Sequence, residues 1–211
     1  MFAHRTGSGP HGRTRVRSRR ASAPARALAA LLACAAGLSV GADKPREYID
    51  DQSGVTVTAM SKPMEFALDR HERRIPNMRD YVTMTAASVD RQGHLRYLLI
   101  AYLWSTLDAR NEPQRPVPDA VMLQAGEEHF RLDTHSGTPA DFGIVRPIGA
   151  PSGRTVKTLL LVTDLETLGR IAAASSLQVE AVPPDVRGNY RLWDDQRKAL
   201  GQLVTYLNGG R

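Results

Sequence analysis

The chain of 211 residues is 42% hydrophobic and 24% charged, a composition that fits a globular protein of one domain or at most two and excludes a disordered or fibrous one. Its formal charge of +6 and pI near 9.8 would suggest a nucleic-acid partner if they belonged to a folded surface. They belong to the leader instead. Seven arginines (Arg5, Arg13, Arg15, Arg17, Arg19, Arg20, Arg26) precede Cys34, and the first acid is Asp43. The other 21 basic and 22 acidic residues leave a net charge of −1, so no nucleic acid is expected as a partner.

The leader reads as an export signal, with an Arg-rich stretch up to Arg26 and then an apolar run from Ala27 to Ala42. That run falls short of the about 20 apolar residues a transmembrane helix needs. Two cleavage readings compete. Val40-Gly41-Ala42 before Asp43 is a small-residue site that would release a soluble periplasmic module, whereas Leu31-Leu32-Ala33-Cys34 has the form of a lipobox, in which the cysteine thiolate takes a lipid. Cys34 is the chain's single cysteine, which excludes an intramolecular disulfide and favours the anchor. Ser18-Arg19-Arg20 lacks the following residues of a twin-arginine signal. The expected organisation is a lipoprotein signal over 1–33, a lipidated cysteine and tether over 34–46, and one β-rich domain over 47–211.

In chain order, Val55, Val57 and Ala59 alternate with Thr56, Thr58 and Met60, and after Ser61-Lys62-Pro63 the alternation resumes at Met64, Phe66 and Leu68. Both stretches predict short strands. Residues 69–80 are dense in charge and predict a solvated connection. Tyr81–Val89 and the unbroken apolar run Tyr97–Trp104 flank Asp90-Arg91-Gln92-Gly93-His94, a hairpin whose Gly93 suits a bulged turn; the apolar run is expected to be the central strand. The proline-rich loop 106–118 follows, then a second hairpin around Ala125-Gly126-Glu127. Residues 134–154, rich in Gly, Pro and Ser but holding Phe142 and Ile144, form a loop long enough to be functional.

Leu159-Leu160-Leu161-Val162 predicts a further buried strand, leading into a capping box at Thr163-Asp164-Leu165-Glu166 and a helix with Leu165, Leu168, Ile171 and Ala172 on one face. Leu177, Val179 and Ala181 alternate as a strand, Tyr190-Arg191-Leu192 is another, and Asp194 is placed to cap a last helix burying Ala199, Leu200, Leu203, Val204 and Leu207. About nine strands and two helices, the second C-terminal, predict a mainly β fold with an antiparallel sandwich-like core. A mixed α+β sheet, with a strand-helix-strand crossover at 156–181, fits the same pattern.

The lipobox, the β-rich body and the segments Thr163-Asp164-Leu165-x-Thr167-Leu168-x-x-Ile171-Ala172 and Tyr190-x-Leu192-Trp193-x-Asp195-Gln196-Arg197-x-Ala199-Leu200 together resemble uncharacterised proteobacterial lipoproteins. The resemblance implies a cell-envelope location and no catalytic residue. It also implies that Ala35, being other than aspartate, directs the protein to the outer membrane, facing the periplasm.

The chemical motifs are sparse. His129, Arg131, Asp133 and His135 share one parity of a strand, so His129, Asp133 and His135 are the candidates for a metal-assisted hydrolase. The same parity buries Phe130 and Leu132 and makes the histidine side the solvated one, so no metal, cofactor or catalytic residue is expected. His71-Glu72 lacks a second histidine. Gly149–Thr155 is a residue short of a phosphate loop and has Arg154 in the lysine position. Asp194-Asp195 suits a helix N-terminus better than paired-carboxylate catalysis. Tyr97, Tyr102, Trp104 and Trp193 could stack on ligands but are more typical of a core. The reading favoured is a non-enzymatic envelope lipoprotein that binds or assembles, with an envelope protein or small ligand meeting loops 106–118 and 134–154.

Overall fold

In the computed structural model of the chain the described residues are 44–68, 80–106, 117–152, 155–182 and 189–209. They form ten strands and two α-helices in the order β1 (Arg46–Ile49), β2 (Thr56–Ala59), β3 (Met64–Leu68), β4 (Asp80–Arg91), β5 (His94–Ser105), β6 (Ala120–Ala125), β7 (Glu128–Asp133), β8 (Thr155–Thr163), α1 (Leu165–Ala173), β9 (Leu177–Val182), β10 (Tyr190–Asp194) and α2 (Arg197–Gly209). The extra strand relative to the sequence reading is β1. Arg-Glu-Tyr-Ile shows no apolar alternation because three of its residues are exposed and Tyr48 is half-buried; among the described residues it pairs only with β2, at the end of the sheet path.

The β4–β5 hairpin organises the rest. The two strands pair along their full twelve residues, from Asp80↔Ser105 to Arg91↔His94. The turn is Gln92-Gly93, both at positive φ (56° and 85°), which is the type I′ signature of a two-residue hairpin. The expected bulge is therefore absent; Asp90 Oδ1 instead accepts the Gly93 amide at 2.7 Å and steadies the tight turn.

One edge of β5 takes β8, and one edge of β4 is shared. Residues 87–90 pair with β2 and residues 81–84 with β3. Between those partners Met60 to Pro63 form a bulge opposite Thr85 and Ala86, where the Met60 amide donates to Ala86 O at 3.0 Å. The sheet forks at this bulge, with β1 lying beyond β2, and β10, β9, β6 and β7 following in turn beyond β3. All pairings between strands are antiparallel, and the far end curls back so that Thr134 bridges Leu161 and the His135 amide donates to Leu160 O at 2.8 Å. The result is a curled, sandwich-like half-barrel. The mixed-sheet alternative is overturned, because β8 and β9, on either side of α1, pair with different strands: β8 with β5, and β9 with β6 and β10.

Two cores explain the apolar run at 97–104. Leu99, Ala101 and Leu103 point into the curl with Met64, Phe66, Met84, Leu123 and Leu161. Leu98, Ile100 and Tyr102 point to the other face, where Val55, Val57, Val89, Leu160, Phe142 and Ile144 cover them. A strand buried on both sides has no polar face to alternate with. Each fully buried Leu, Met or Phe side chain contributes about 1.5–3 kcal/mol of burial. The inside of the curl is filled by these side chains, and α1 and α2 close it with Leu168, Ile171, Ala199, Leu200 and Leu203.

Both helix starts differ from expectation. Asp164, not Thr163, caps α1: its carboxylate accepts the Thr167 amide at 2.7 Å and the Thr167 hydroxyl at 2.9 Å. Thr163 remains in β8 because its pairing with Tyr97 continues the ladder. At α2 Gln196 precedes the first helical residue and its C=O accepts the Leu200 amide at 3.1 Å, while Asp195 Oδ1 accepts the Arg197 amide at 3.1 Å; Asp194 stays in β10, paired with Glu65. Arg197 then donates to Ala174 O, placing a cation at the C-terminal end of α1, where the helix dipole favours it.

Candidate functional site

Loop 134–152 supplies one wall of the site. Its short 3-10 helix, Pro139–Phe142, ends at Gly143, and Phe142 and Ile144 are 6% and 2% exposed against the second core. This explains how a segment rich in Gly and Pro is held in place: two apolar anchors dock it across β2, β4, β5 and β8. Arg96 stands over the Phe142 ring, 5.4 Å from its centroid, and the His135 ring meets Phe142 edge-on at 5.0 Å.

The facing wall is the end of β1 and the turn that leads to β2. Asp50-Asp51-Gln52-Ser53-Gly54 is a turn sequence by composition, and the Gly54 amide closes it on Asp50 O at 2.7 Å. Asp50 is 5% exposed. Its Oδ1 accepts the amides of Gln52 and Ser53, both at 3.1 Å, and its Oδ2 accepts the Val145 amide at 3.1 Å. Ser53 Oγ donates to Gly143 O at 2.6 Å, a second tie between turn and loop. Burial by itself would raise the Asp50 pKa, but the hydrogen bonds from Ser53, Val145 and Gln52 outweigh it and hold the carboxyl below the usual range. Asp50 is thus an ionised clamp that accepts from three backbone amides and lies within reach of the Ser53 hydroxyl, 3.1 Å from its Oδ1.

An open cavity of about 350 Å³ lies between the walls, lined by residues 48–52 on one side and by Val145 and Arg146 on the other. Asp51 and Gln52 are exposed on the turn, and Arg146 is exposed on the loop. The Tyr48 hydroxyl is buried and has no hydrogen-bond partner among the described residues. Burial raises its pKa, the negative charge of Asp50 adds to that, and the positive charge of Arg146 opposes it. Beside it, Tyr102 is 4% exposed, its hydroxyl donates to Ile148 O at 2.9 Å, and burial raises its pKa too. The chemistry on offer is recognition by charge and hydrogen bonding: one guanidinium, one free carboxylate and one amide at the rim.

The candidates read from the sequence are placed as follows. His129 and Asp133 are exposed on β7, where Arg131 pairs with Asp133 at 3.0 Å; His135 lies beyond the strand against Phe142. Among the described residues no group of three His, Cys, Asp or Glu is arranged to hold a metal. Leu132 is buried and Phe130 half-buried, as the parity requires. Trp104 stacks on Tyr81 with ring centroids 4.4 Å apart and donates to Thr83 Oγ1 at 2.8 Å. Tyr97 packs against the first core and Trp193 is 59% exposed. Cys34, His71-Glu72, Arg154 and most of loop 106–118 lie outside the described residues. The sequence reading pointed to loop 134–154, which carries Val145 and Arg146, but not to Tyr48, Asp50 or Asp51, whose only signal was a turn composition.

No helix among the described residues is long and apolar enough to cross a membrane. In comparisons with known proteins, no family model, curated protein or solved structure matches the chain.

Proposed function

We propose that the chain is an exported cell-envelope lipoprotein, anchored through Cys34 in the outer membrane and facing the periplasm, whose β body is a non-enzymatic binding or assembly module. The observation that carries the reading is the order of the N-terminal segments: an Arg-rich stretch, an uncharged apolar run and the single cysteine in Leu-Leu-Ala-Cys. The first strand begins at Arg46, twelve residues after Cys34. A tether of that length spans at most about 40 Å, so a lipid at Cys34 would hold the body close to the bilayer.

The cavity between the turn at 50–54 and loop 134–152 supports binding as the role of the body, since its walls are fixed by Asp50 while its charged rim stays open. Loop 106–118 is a further surface for an envelope partner. The test is intact mass and membrane fractionation of the protein expressed with its own leader in a proteobacterial host, with Cys34→Ser as the control. The expected result is a lipid-sized mass increment and membrane recovery, both lost in the variant. An unmodified chain beginning at Asp43 in the soluble fraction would instead make it a periplasmic ligand-binding module.

A further inference from the structure

The cavity between residues 48–52 and Val145–Arg146 presents charges of opposite sign on opposite walls. Asp51 sits on the turn and Arg146 on the loop, both exposed at the rim. Among the described residues no hydrogen bond or ion pair joins them. Asp50 adds a second negative charge at the base, but its oxygens are taken up by the amides of Gln52, Ser53 and Val145. Its charge is felt in the cavity, while its lone pairs serve the fold.

A ligand carrying only an anion would meet Arg146 but face two carboxylates. One carrying only a cation would meet Asp51 but face the guanidinium, and like-charge contact is costly. Both rim charges are matched by one molecule that bears an anion and a cation. The Arg146 guanidinium offers a ligand carboxylate charge-assisted hydrogen bonds. The volume, about 350 Å³, lies at the small end of the range for ligand sites.

We infer that this cavity binds a small zwitterion of the α-amino acid class, its carboxylate on Arg146 and its ammonium on Asp51. The inference rests on the reading of the β body as a binding module and is independent of the anchor.

The experiment is titration calorimetry of the purified full chain with each proteinogenic L-amino acid in turn. Propionate, ethylammonium and glucose serve as probes lacking the ammonium, the carboxylate or both charges. Saturable binding of one or more amino acids is expected, with all three controls at least about tenfold weaker, the weight of one charged hydrogen bond. Arg146→Ala and Asp51→Asn each change an exposed residue, so their circular dichroism should match wild type while their affinity falls by about tenfold or more. The proposal is overturned if no amino acid binds saturably, if propionate or ethylammonium binds as tightly as the best amino acid, or if folded Arg146→Ala and Asp51→Asn bind like wild type. Cys34→Ser should leave the titration unchanged, so loss of the anchor and loss of the ligand are read separately.

Discussion

Asp50 and Val145 stand 95 residues apart in the chain, and a carboxylate oxygen of the first accepts the amide of the second at 3.1 Å. The same carboxylate also closes its own turn through Gln52 and Ser53. One buried ion thereby joins the first hairpin to the loop that covers the second core.

Asp50→Asn tests that clamp. An amide presents one acceptor oxygen in place of two and turns an N–H₂ group towards a backbone donor, so the variant should melt several degrees below wild type at pH 7. Because the folded-state pKa of Asp50 is lowered, its contribution is present above the ordinary carboxylate range near 4 and lost as pH falls through the folded value. Melting curves on a descending pH series should show the gap between the two proteins closing in acid. Asp164, lowered by the Thr167 hydrogen bonds at its cap, and Asp195, lowered by the Arg197 side chain, should make wild type itself fall over the same range.

Glu65 behaves in the opposite sense. Burial raises its pKa, and the charge of Asp194 across the β3–β10 ladder adds to the effect. Ionising it costs stability, so the folded state is favoured while Glu65 is protonated and loses that advantage as pH rises through its raised folded value. Glu65→Gln should therefore melt higher than wild type at neutral pH, with no gain at pH values below the carboxylate range. A gain that persists in acid would show that packing, and not charge, is responsible.

Gly143 terminates the short 3-10 helix at φ 86°, and a Cβ built there would stand 2.8 Å from Val55 Cγ2 and 3.0 Å from Ser53 Oγ. Gly143→Ala should cost on the order of 1–2 kcal/mol for the left-handed backbone alone, with the contact to Val55 adding to it. Urea unfolding measures the loss, and the Ser53–Gly143 hydrogen bond should be displaced with it.

Phe66 and Asp164 set the scale for core and cap. Phe66 is fully buried inside the curl, so Phe66→Ala should destabilise by roughly 3–5 kcal/mol. Asp164→Ala removes the α1 cap and should cost about 1 kcal/mol, whereas Thr163→Ala should not weaken the helix start, because the cap lies one residue later. Equal costs for the two cap variants would restore Thr163 to that role.

Local pattern determined a good deal of this protein. The two hairpins, the alternation at 55–68 and the apolar faces of both helices all follow from composition and period, because each reflects which side of one element meets water. The α1 cap position missed by one residue because Thr163 and Asp164 are both competent caps, and the choice between them lies in how far the β8 ladder runs against β5. Strand β1 was invisible because an edge strand with little burial carries no alternation. The unbroken apolar run at 97–104 already indicated a buried strand; only the tertiary structure decided which segments cover its two faces, that Phe142 and Ile144 dock a loop across the sheet, and that Tyr48, Asp51 and Arg146 share a cavity. Those relations depend on which distant segments pair, and the fork at the Met60–Pro63 bulge and the return of β7 to Leu161 set that pairing through packing that no single window of sequence contains.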